Sequence, residues 1–260
     1  MNSFSRKLAD IASAAFYNVG PIVVVLALWE LVVRTGLVQA MFLPAVSDVF
    51  VEFWQSILSG QLPENFLITL RRVSLGYAIG AGAAIALGLV IGIFRSVGNF
   101  FYPIIAAIYP LPKIAMLSIF LVVFGIGDPP IIASVAISSF FPVLLNTLTG
   151  LRSVDQILVK AAKDLGANRI QIATKVIFPA ALPIIFAGLR QGSAVALIVV
   201  VAVEMYIGQS GAGYLLSWAT EFFKIKFLYA NLLAIGIFGI LVFRAVDLVE
   251  YLALPWARGR

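Results

Sequence analysis

Residues 153–183 read SVDQILVKAAKDLGANRIQIATKVIFPAALP, a polar segment between two long apolar runs. Ser153 and Gln156 form a capping-box pattern, which predicts the start of a helix, and Gly166 is typical of a helix end. The side predicted to face inward carries Ile157, Leu158, Ala161, Ala162 and Leu165. The first half of the segment is therefore predicted to be a short amphipathic helix.

A second short helix is predicted directly after this turn. Asn168 is placed to cap it, and Pro179 is expected to end it. Together the two helices form a helix-turn-helix elbow at a membrane surface. Its pattern has two interpretations, a connecting loop that happens to fold and a docking surface for a soluble partner.

The elbow resembles the EAA loop of ATP-binding-cassette importer permeases. The resemblance rests on Ala161, Ala162, Gly166, Ile177, Pro179, Ala181, Leu182 and Pro183. Lys160 stands where the motif has glutamate, and Phe178 stands where leucine is usual. From about Leu43 to the C-terminus, the chain is similar to permeases that serve nitrate, sulfonate, taurine and bicarbonate importers.

This resemblance implies an all-α integral membrane protein of the type I importer permease fold, with a cytoplasmic coupling helix between spans 4 and 5. It implies a multi-pass protein of the bacterial inner membrane that moves a small polar or anionic nutrient by alternating access. The implied partners are a second permease subunit, two cassette ATPases, an extracytoplasmic substrate-binding protein and membrane lipid. No cofactor is implied on this chain, since ATP and Mg would bind the ATPases. The implied coupling residues are Lys160, Ala161, Ala162, Asp164, Leu165, Gly166, Ala167, Asn168 and Pro179.

Composition independently indicates a membrane protein. The chain is 62% hydrophobic and 12% charged, whereas soluble domains carry about 25% charged residues. It contains no cysteine and no histidine, which excludes disulfides, imidazole catalysis and the common zinc sites. The net charge of +6 does not indicate nucleic-acid binding, because the basic residues sort by side of the membrane.

Hydropathy predicts six spans after a cytoplasmic N-terminal segment at residues 1–20. The spans cover about 21–34, 70–94, 100–125, 129–149, 183–207 and 229–251, with the coupling loop at 153–183. In this arrangement ten Lys and Arg residues lie on the side of the elbow and both termini, and five lie on the other side. The positive-inside rule therefore predicts that the elbow and both termini are cytoplasmic.

The second span carries a small residue at every fourth position: Gly76, Gly80, Ala84, Gly88 and Gly92. Such a ridge lets another helix approach closely, and close packing is a main source of helix association in lipid. The ridge is therefore predicted to be a helix-packing surface.

Five polar residues within the spans are candidates for the translocation path or its gate: Lys113, Ser138, Ser139, Arg190 and Glu204. Charges inside a membrane are expensive and are often functional. For Lys113 and Arg190 the two interpretations are contact with an anionic cargo and a structural role. Ser138 and Ser139 could join helices or line a channel. Glu204 could lie near the outer gate, pair across a subunit interface or reach the outer headgroups. Lys113 follows three prolines whose freed carbonyls would offer it partners.

The chain has no nucleotide-binding motif, because no lysine directly follows a glycine and a Walker A sequence is therefore absent. An ATP-driven role would require a separate motor. A secondary transporter or channel without an ATPase is the alternative, although the spans show no convincing internal repeat. The chain is not predicted to be an enzyme, since its twelve acidic residues are scattered.

Overall fold

A computed structural model describes residues 20–39 and 41–257, and every regular element within these ranges is helical. The predicted N-terminal segment, apart from its last residue, lies outside the described residues. The chain divides into two compact units. The smaller comprises Met1–Leu62 and Trp218–Ala234, and the larger comprises Pro63–Ser217 and Ile235–Arg260.

The smaller unit contains helix α1, residues 20–34, and helix α2, Val46–Leu58. Ser47 in the first turn of α2 donates its backbone N–H to the Glu30 carboxylate at 3.1 Å. Glu30 also accepts a hydrogen bond from Arg34 one turn further along α1, at 3.0 Å. This carboxylate therefore ties the end of α1 to the beginning of α2.

The remaining helices follow in chain order. They are α3 (Gln61–Ile93), α4 (Arg95–Ile108), α5 (Leu117–Phe124), α6 (Asp128–Arg152), α7 (Gln156–Asp164), α8 (Arg169–Ile172), α9 (Phe178–Ile207), α10 (Ala212–Glu221) and α11 (Ile225–Ala253). Short 3-10 turns lie at Lys113–Met116 and Pro255–Ala257, and a π-helical turn lies at Ala173–Ile177.

Four helical stretches among the described residues are long and apolar enough to cross a membrane: Gln61–Ile93, Asp128–Arg152, Arg169–Ile207 and Ile225–Ala253. A bent helix pair brings the number of crossings to as many as five. The predicted first span corresponds to α1, whose described 15 residues extend only about 22 Å, less than the hydrocarbon thickness of about 30 Å. The described residues thus give four or five spans rather than six.

The region predicted as one span over 100–125 is divided in the structure. Ser96–Ile108 and Lys113–Phe124 are helical but bent by 92° relative to each other. The break contains Pro110 and Pro112. Each proline lacks an N–H and clashes with the preceding turn, so two of them in three residues end the helix and do not merely kink it. Pro142 in α6, a single interruption, leaves that helix continuous.

The ridge of small residues on α3 lies directly against α6. A methyl group added at Gly76 would lie 2.7 Å from Val135 Cβ, and one added at Gly88 would lie 2.5 Å from Thr147 Cγ2. Ala84 between them is fully buried. Helices α3 and α6 of the same chain therefore pack so closely that their backbones are nearly in contact along the ridge.

The apolar core of the larger unit lies between α3, α6 and α9. One cluster joins Val73 of α3 to Ile131 and Val135 of α6 and to Val200 of α9. These side chains are 0–4% exposed. This cluster lies at the ends of α6 and α9 opposite to the elbow. A separate cluster of Val154, Ala181 and Ile185 holds the ends that flank the elbow.

Candidate functional site

The elbow begins with an aspartate cap. The Asp155 carboxylate accepts a hydrogen bond from the Ile157 N–H at 2.8 Å and so caps α7. The predicted Ser153–Gln156 capping box is wrong, because Ser153 belongs to the end of α6, where its hydroxyl donates to the Gly150 carbonyl at 2.9 Å. Because α6 continues to Arg152 and Ser153 follows it directly, Ser153 is not available to cap α7.

Gly166 ends α7 as the sequence predicts. Its φ of +83° lies in the left-handed region, which glycine adopts without strain. The N–H groups of Gly166 and Ala167 return to the carbonyls of Lys163 and Ala162 at 2.9 and 3.0 Å. Since a Cβ at Gly166 would meet no atom within 4 Å, the glycine is required by backbone conformation and not by space.

The second elbow helix begins as predicted. Asn168 accepts from the Gln171 N–H, and the Gln171 side chain accepts from the Asn168 N–H, both at 2.9 Å, which completes a capping box.

This helix does not end at Pro179, and that prediction is wrong. α8 continues through the π-helical turn into α9, giving one helical stretch from Arg169 to Ile207. In a regular α-helix the Pro179 ring would clash with the carbonyl four residues earlier, at Lys175. Lys175 lies inside the π turn, and the wider turn relieves that clash. A continuous helix therefore joins the elbow to the fifth predicted span.

The apolar side of α7 is exposed, although the sequence predicted that it faces inward. Ile157 is 70% exposed, Leu158 51% and Leu165 88%. Val159 instead makes the contact of α7 with the core, together with Val154 just before the helix. The elbow is thus attached by a narrow base and presents a row of uncovered aliphatic side chains.

The predicted coupling residues lie mostly on the surface of this elbow. Lys160, Ala161, Asp164, Leu165, Gly166 and Asn168 are exposed, and Ala162, Ala167 and Pro179 are half-buried. Their role in coupling stays a prediction.

Glu204 is completely buried near the end of α9 opposite to the elbow. Its carboxylate accepts from Arg72 Nη1 at 2.9 Å and from the Thr69 hydroxyl at 2.8 Å, both on α3. The Gly213 N–H, at the start of α10, donates to it at 3.1 Å. An ionised carboxylate is tolerated in such a site only when hydrogen bonds replace its hydration, and here three groups do so.

Two glycines allow the loop after α9 to close over this carboxylate. Gly211 has a φ of +108°, and a Cβ at this position would overlap the Glu204 carboxyl group. A Cβ at Gly213 would lie 2.7 Å from Glu204 Cβ. The glycine-rich turn is therefore wrapped around a charge.

Arg72 extends this network to α6. Its guanidinium contacts Asp128, the first residue of α6, with an N–O distance of 2.7 Å, and it donates to the Ser210 carbonyl at 2.7 Å. Arg71 also pairs with Asp128. We call Thr69, Arg72, Asp128 and Glu204 the buried charge cluster.

The sequence analysis counted Arg72 among the basic residues on the side of the membrane opposite to the elbow and proposed no partner within the chain for Glu204. Arg72 and Glu204 are 132 residues apart, and only the packing of α3 against α9 brings them together. The available signal was the occurrence of one basic and one acidic residue at matching ends of two predicted spans.

Arg190 lies on the part of α9 nearer to the elbow and pairs with α11. Its guanidinium contacts Asp247 at 2.9 Å and Glu250 at 2.6 Å. The arginine side chain is 48% exposed and the carboxylates are 41% and 27% exposed. We call these three residues the exposed charge cluster. In this conformation the positive charge of Arg190 is neutralised by two acids.

Lys113 and Ser139, two of the other candidate path residues, contact groups of their own or neighbouring helices. The Lys113 ammonium lies 4.9 Å from the ring centroids of Tyr109 and Phe141 and donates to the Tyr109 carbonyl. Ser138 and Ser139 are buried in α6, and Ser139 donates to the Val135 carbonyl at 2.9 Å. Their role in a translocation path stays a prediction.

Several long apolar helices, joined by buried charge pairs, define a multi-pass membrane protein. Over residues 20–39 and 41–257, no group of three or more acidic side chains is arranged to hold a metal ion. The chain belongs to the family of binding-protein-dependent transport system inner membrane components, whose model matches residues 76–256. It is therefore an inner membrane component of a transport system, which agrees with the predicted permease family.

Two relatives match nearly the whole chain. A Bacillus subtilis protein, SsuC, whose name assigns it to aliphatic sulfonates transport, is 31% identical over 233 residues, covering 90% of this chain and 84% of its own. The taurine transport system permease protein TauC of Escherichia coli is 30% identical over 244 residues, covering 92% of this chain and 89% of its own. The predicted resemblance to the sulfonate and taurine permeases is confirmed.

A solved structure supports the fold. The MetNI methionine ABC transporter, in an inward-facing conformation, matches with a TM-score of 0.54 and 18% sequence identity, covering 81% of this chain and 98% of that one. The all-helical importer permease fold predicted from the sequence is therefore confirmed.

Proposed function

We propose that this chain is the translocating subunit of an ABC importer for a small polar or anionic nutrient and works by alternating access. Two copies of the chain would form the path, two cassette ATPases would bind ATP and Mg, and an extracytoplasmic protein would deliver cargo. Relatives named for sulfonate and taurine transport support this cargo class. In that scheme the candidate path residues remain Lys113, Ser138, Ser139, Arg190 and Glu204.

The exposed apolar side of the elbow carries this proposal. Ile157, Leu158 and Leu165 are more than half exposed, and they lie between hydrophilic residues outside the long apolar helices. Uncovered aliphatic side chains of this kind favour a protein partner. We therefore assign the ATPase-docking role to residues 160–168, with Pro179 at the joint to α9.

The continuous helix from Arg169 to Ile207 supports a mechanical role for the elbow. A continuous helix of 39 residues can carry a displacement at its elbow end into the membrane-spanning part. Movement of a docked ATPase would thereby reach the spans along a single helix.

The charge distribution supports a cytoplasmic elbow. The described residues of the elbow include Lys160, Lys163, Arg169 and Lys175, and Arg152 precedes it. Positive residues near span ends are retained on the cytoplasmic side. The proposed location is the bacterial inner membrane, with the elbow and both termini in the cytoplasm.

The docking role can be tested with Leu165→Asp in the full importer. A carboxylate at this 88% exposed position places a charge in the proposed interface without disturbing the core of the chain. We expect co-purification of the ATPase to fall by at least about tenfold, while membrane insertion stays unchanged.

The matched control is Gln156→Asp, which adds the same charge in the exposed first turn of the same helix. It should leave co-purification near the wild-type level. Normal ATPase recovery with Leu165→Asp would refute docking at this surface.

The orientation can be tested by labelling, since the natural chain has no cysteine. We expect a thiol reagent that cannot cross membranes to label Glu221→Cys in intact cells and Lys163→Cys only after permeabilisation. Both positions are exposed. The reverse pattern would contradict the proposed topology.

A further inference from the structure

A cavity of about 360 Å³ opens where the elbow meets the helical core. Four segments form it: the end of α3, the first half of α4, the end of α6 and the π-helical turn. Its lining consists of Ile91, Gly92, Ile93, Gly98, Asn99, Tyr102, Leu148, Leu151, Arg152 and Ile177.

Among the described side chains that line the cavity, Arg152 is the one cation. Its guanidinium lies 4.7 Å from the Tyr102 ring centroid, a cation–π contact, and its donors make no hydrogen bond with another described residue. Within residues 20–39 and 41–257, no carboxylate pairs with it. By contrast, Arg72 and Arg190 each pair with carboxylates.

The lining is divided between polar and apolar groups. Arg152, Asn99 and the Tyr102 hydroxyl supply hydrogen-bond donors, whereas Leu148, Leu151 and Ile177 supply aliphatic surface. A small inorganic anion would use only the first set. A molecule with an anionic head and an aliphatic chain would use both.

We propose that this cavity binds an acidic phospholipid, with the phosphate held by Arg152 and the beginning of an acyl chain on the aliphatic wall. Basic pockets between spanning helices on the cytoplasmic side favour such lipids, because the inner leaflet concentrates anionic headgroups. The assignment to the inner leaflet rests on the proposed orientation of the elbow.

The position of the cavity gives the lipid a defined contact with the moving part of the chain. Ile177 is the last residue of the π-helical turn, so it belongs to the joint through which the elbow continues into α9. A bound lipid would pack against this joint and restrict its bending. Acidic lipid would therefore stiffen the connection between the elbow and the spans.

The test uses the full chain, purified in a neutral detergent and titrated with phosphatidylglycerol or phosphatidylcholine of identical acyl chains. Native mass spectrometry counts the lipids retained. We expect wild-type protein to retain phosphatidylglycerol in preference to phosphatidylcholine. Arg152→Gln should weaken retention of phosphatidylglycerol by about tenfold, since it removes charge-assisted hydrogen bonds, and Arg152→Lys should preserve most of it.

The matched control is Arg169→Gln, an exposed arginine of the elbow outside the cavity, which should retain the lipid normally. If Arg152→Gln does not fold, Asn99→Leu removes another polar group of the lining and should reduce retention by about threefold. Equal retention of both lipids by the wild-type protein, or unchanged retention in Arg152→Gln, would overturn the proposal.

A competition arm separates lipid from free phosphate. Displacement of phosphatidylglycerol by inorganic phosphate at equal concentration would show an anion site without a role for the acyl chain and would overturn the lipid assignment. The lipid count needs no ATPase, so its failure is distinguishable from a failure of elbow docking, which co-purification measures. Thiol labelling that places the elbow on the outer side of the membrane would overturn the assignment to the inner leaflet.

Discussion

Helix α9 carries two charge clusters that use the same residue types in opposite ways. The buried charge cluster holds Glu204 at 0% exposure against Arg72 at 6%. The exposed charge cluster holds Arg190 at 48% exposure against two carboxylates on α11. The first joins α9 to α3 and α6 at the end opposite to the elbow, and the second joins it to α11 nearer to the elbow.

The difference in burial determines what each cluster can do. Breaking a buried pair strands a charge, so the buried cluster acts as a fixed attachment. A half-exposed pair is less completely desolvated, so breaking it costs less than breaking a buried one. The end of α9 at Glu204 is therefore the more firmly attached, whereas the contact of Arg190 with α11 is the weaker of the two. This arrangement suits a helix that receives motion at its elbow end.

The largest expected effect is for Glu204→Ala, which leaves Arg72 without its buried partner. We expect the purified chain to lose about 3–5 kcal/mol of stability, measured as a large fall in unfolding temperature in detergent. Glu250→Ala in the exposed cluster is the matched control and should shift that temperature only slightly. Similar shifts for both variants would remove the distinction between the clusters.

An intermediate effect is expected for Gly88→Leu, on the contact between α3 and α6. The added side chain would overlap Thr147, so the helices must separate, at a cost of about 1–3 kcal/mol. Gly82→Leu is the control, since its position on the same helix is open. We expect Gly88→Leu to lower the unfolding temperature less than Glu204→Ala does, which would show that the buried charge cluster contributes more to stability than this packing contact. Unchanged stability of Gly88→Leu would contradict close packing of the ridge.

The smallest effect is expected for the exposed cluster. A double-mutant cycle between Arg190→Gln and Asp247→Asn should give a coupling energy below about 1 kcal/mol in the resting protein. Transport by Arg190→Gln should nevertheless change, because the contact with α11 would no longer close. A coupling energy as large as that between Arg72 and Glu204 would show that both ends of α9 are fixed.

The local features of the elbow were largely predictable from sequence. Gly166 as a helix end and Asn168 as a helix cap were predicted correctly, because turns and caps depend on residues within a few positions of each other. The part of Gln171 in that cap appeared only in the structure. The cap of α7 and the effect of Pro179 were misread. Both depended on where the neighbouring helices α6 and α9 actually end, which their packing decides.

The sequence also could not predict which side of α7 remains exposed. Its periodicity separates an apolar from a polar side but does not say whether the apolar side meets the core of the same chain or another protein. In the structure Val159 meets the core, and Leu165 does not. Likewise, the two prolines at 110 and 112 indicated a disturbed span, while the angle of 92° emerged only in three dimensions.

By itself, the sequence determined that this is a membrane protein, that it is helical, that α3 carries a ridge of small residues, and where along the chain the elbow lies. These features follow from composition, from the spacing of apolar and small residues, and from helix caps. Each of them can be recognised within one segment of the chain. Only the tertiary structure decided that Glu204 meets Arg72, that Arg190 meets α11, and that the aliphatic side of the elbow is uncovered. Such pairings depend on how helices that are distant in sequence pack, because a charged side chain can pair with any opposite charge that the packing places beside it.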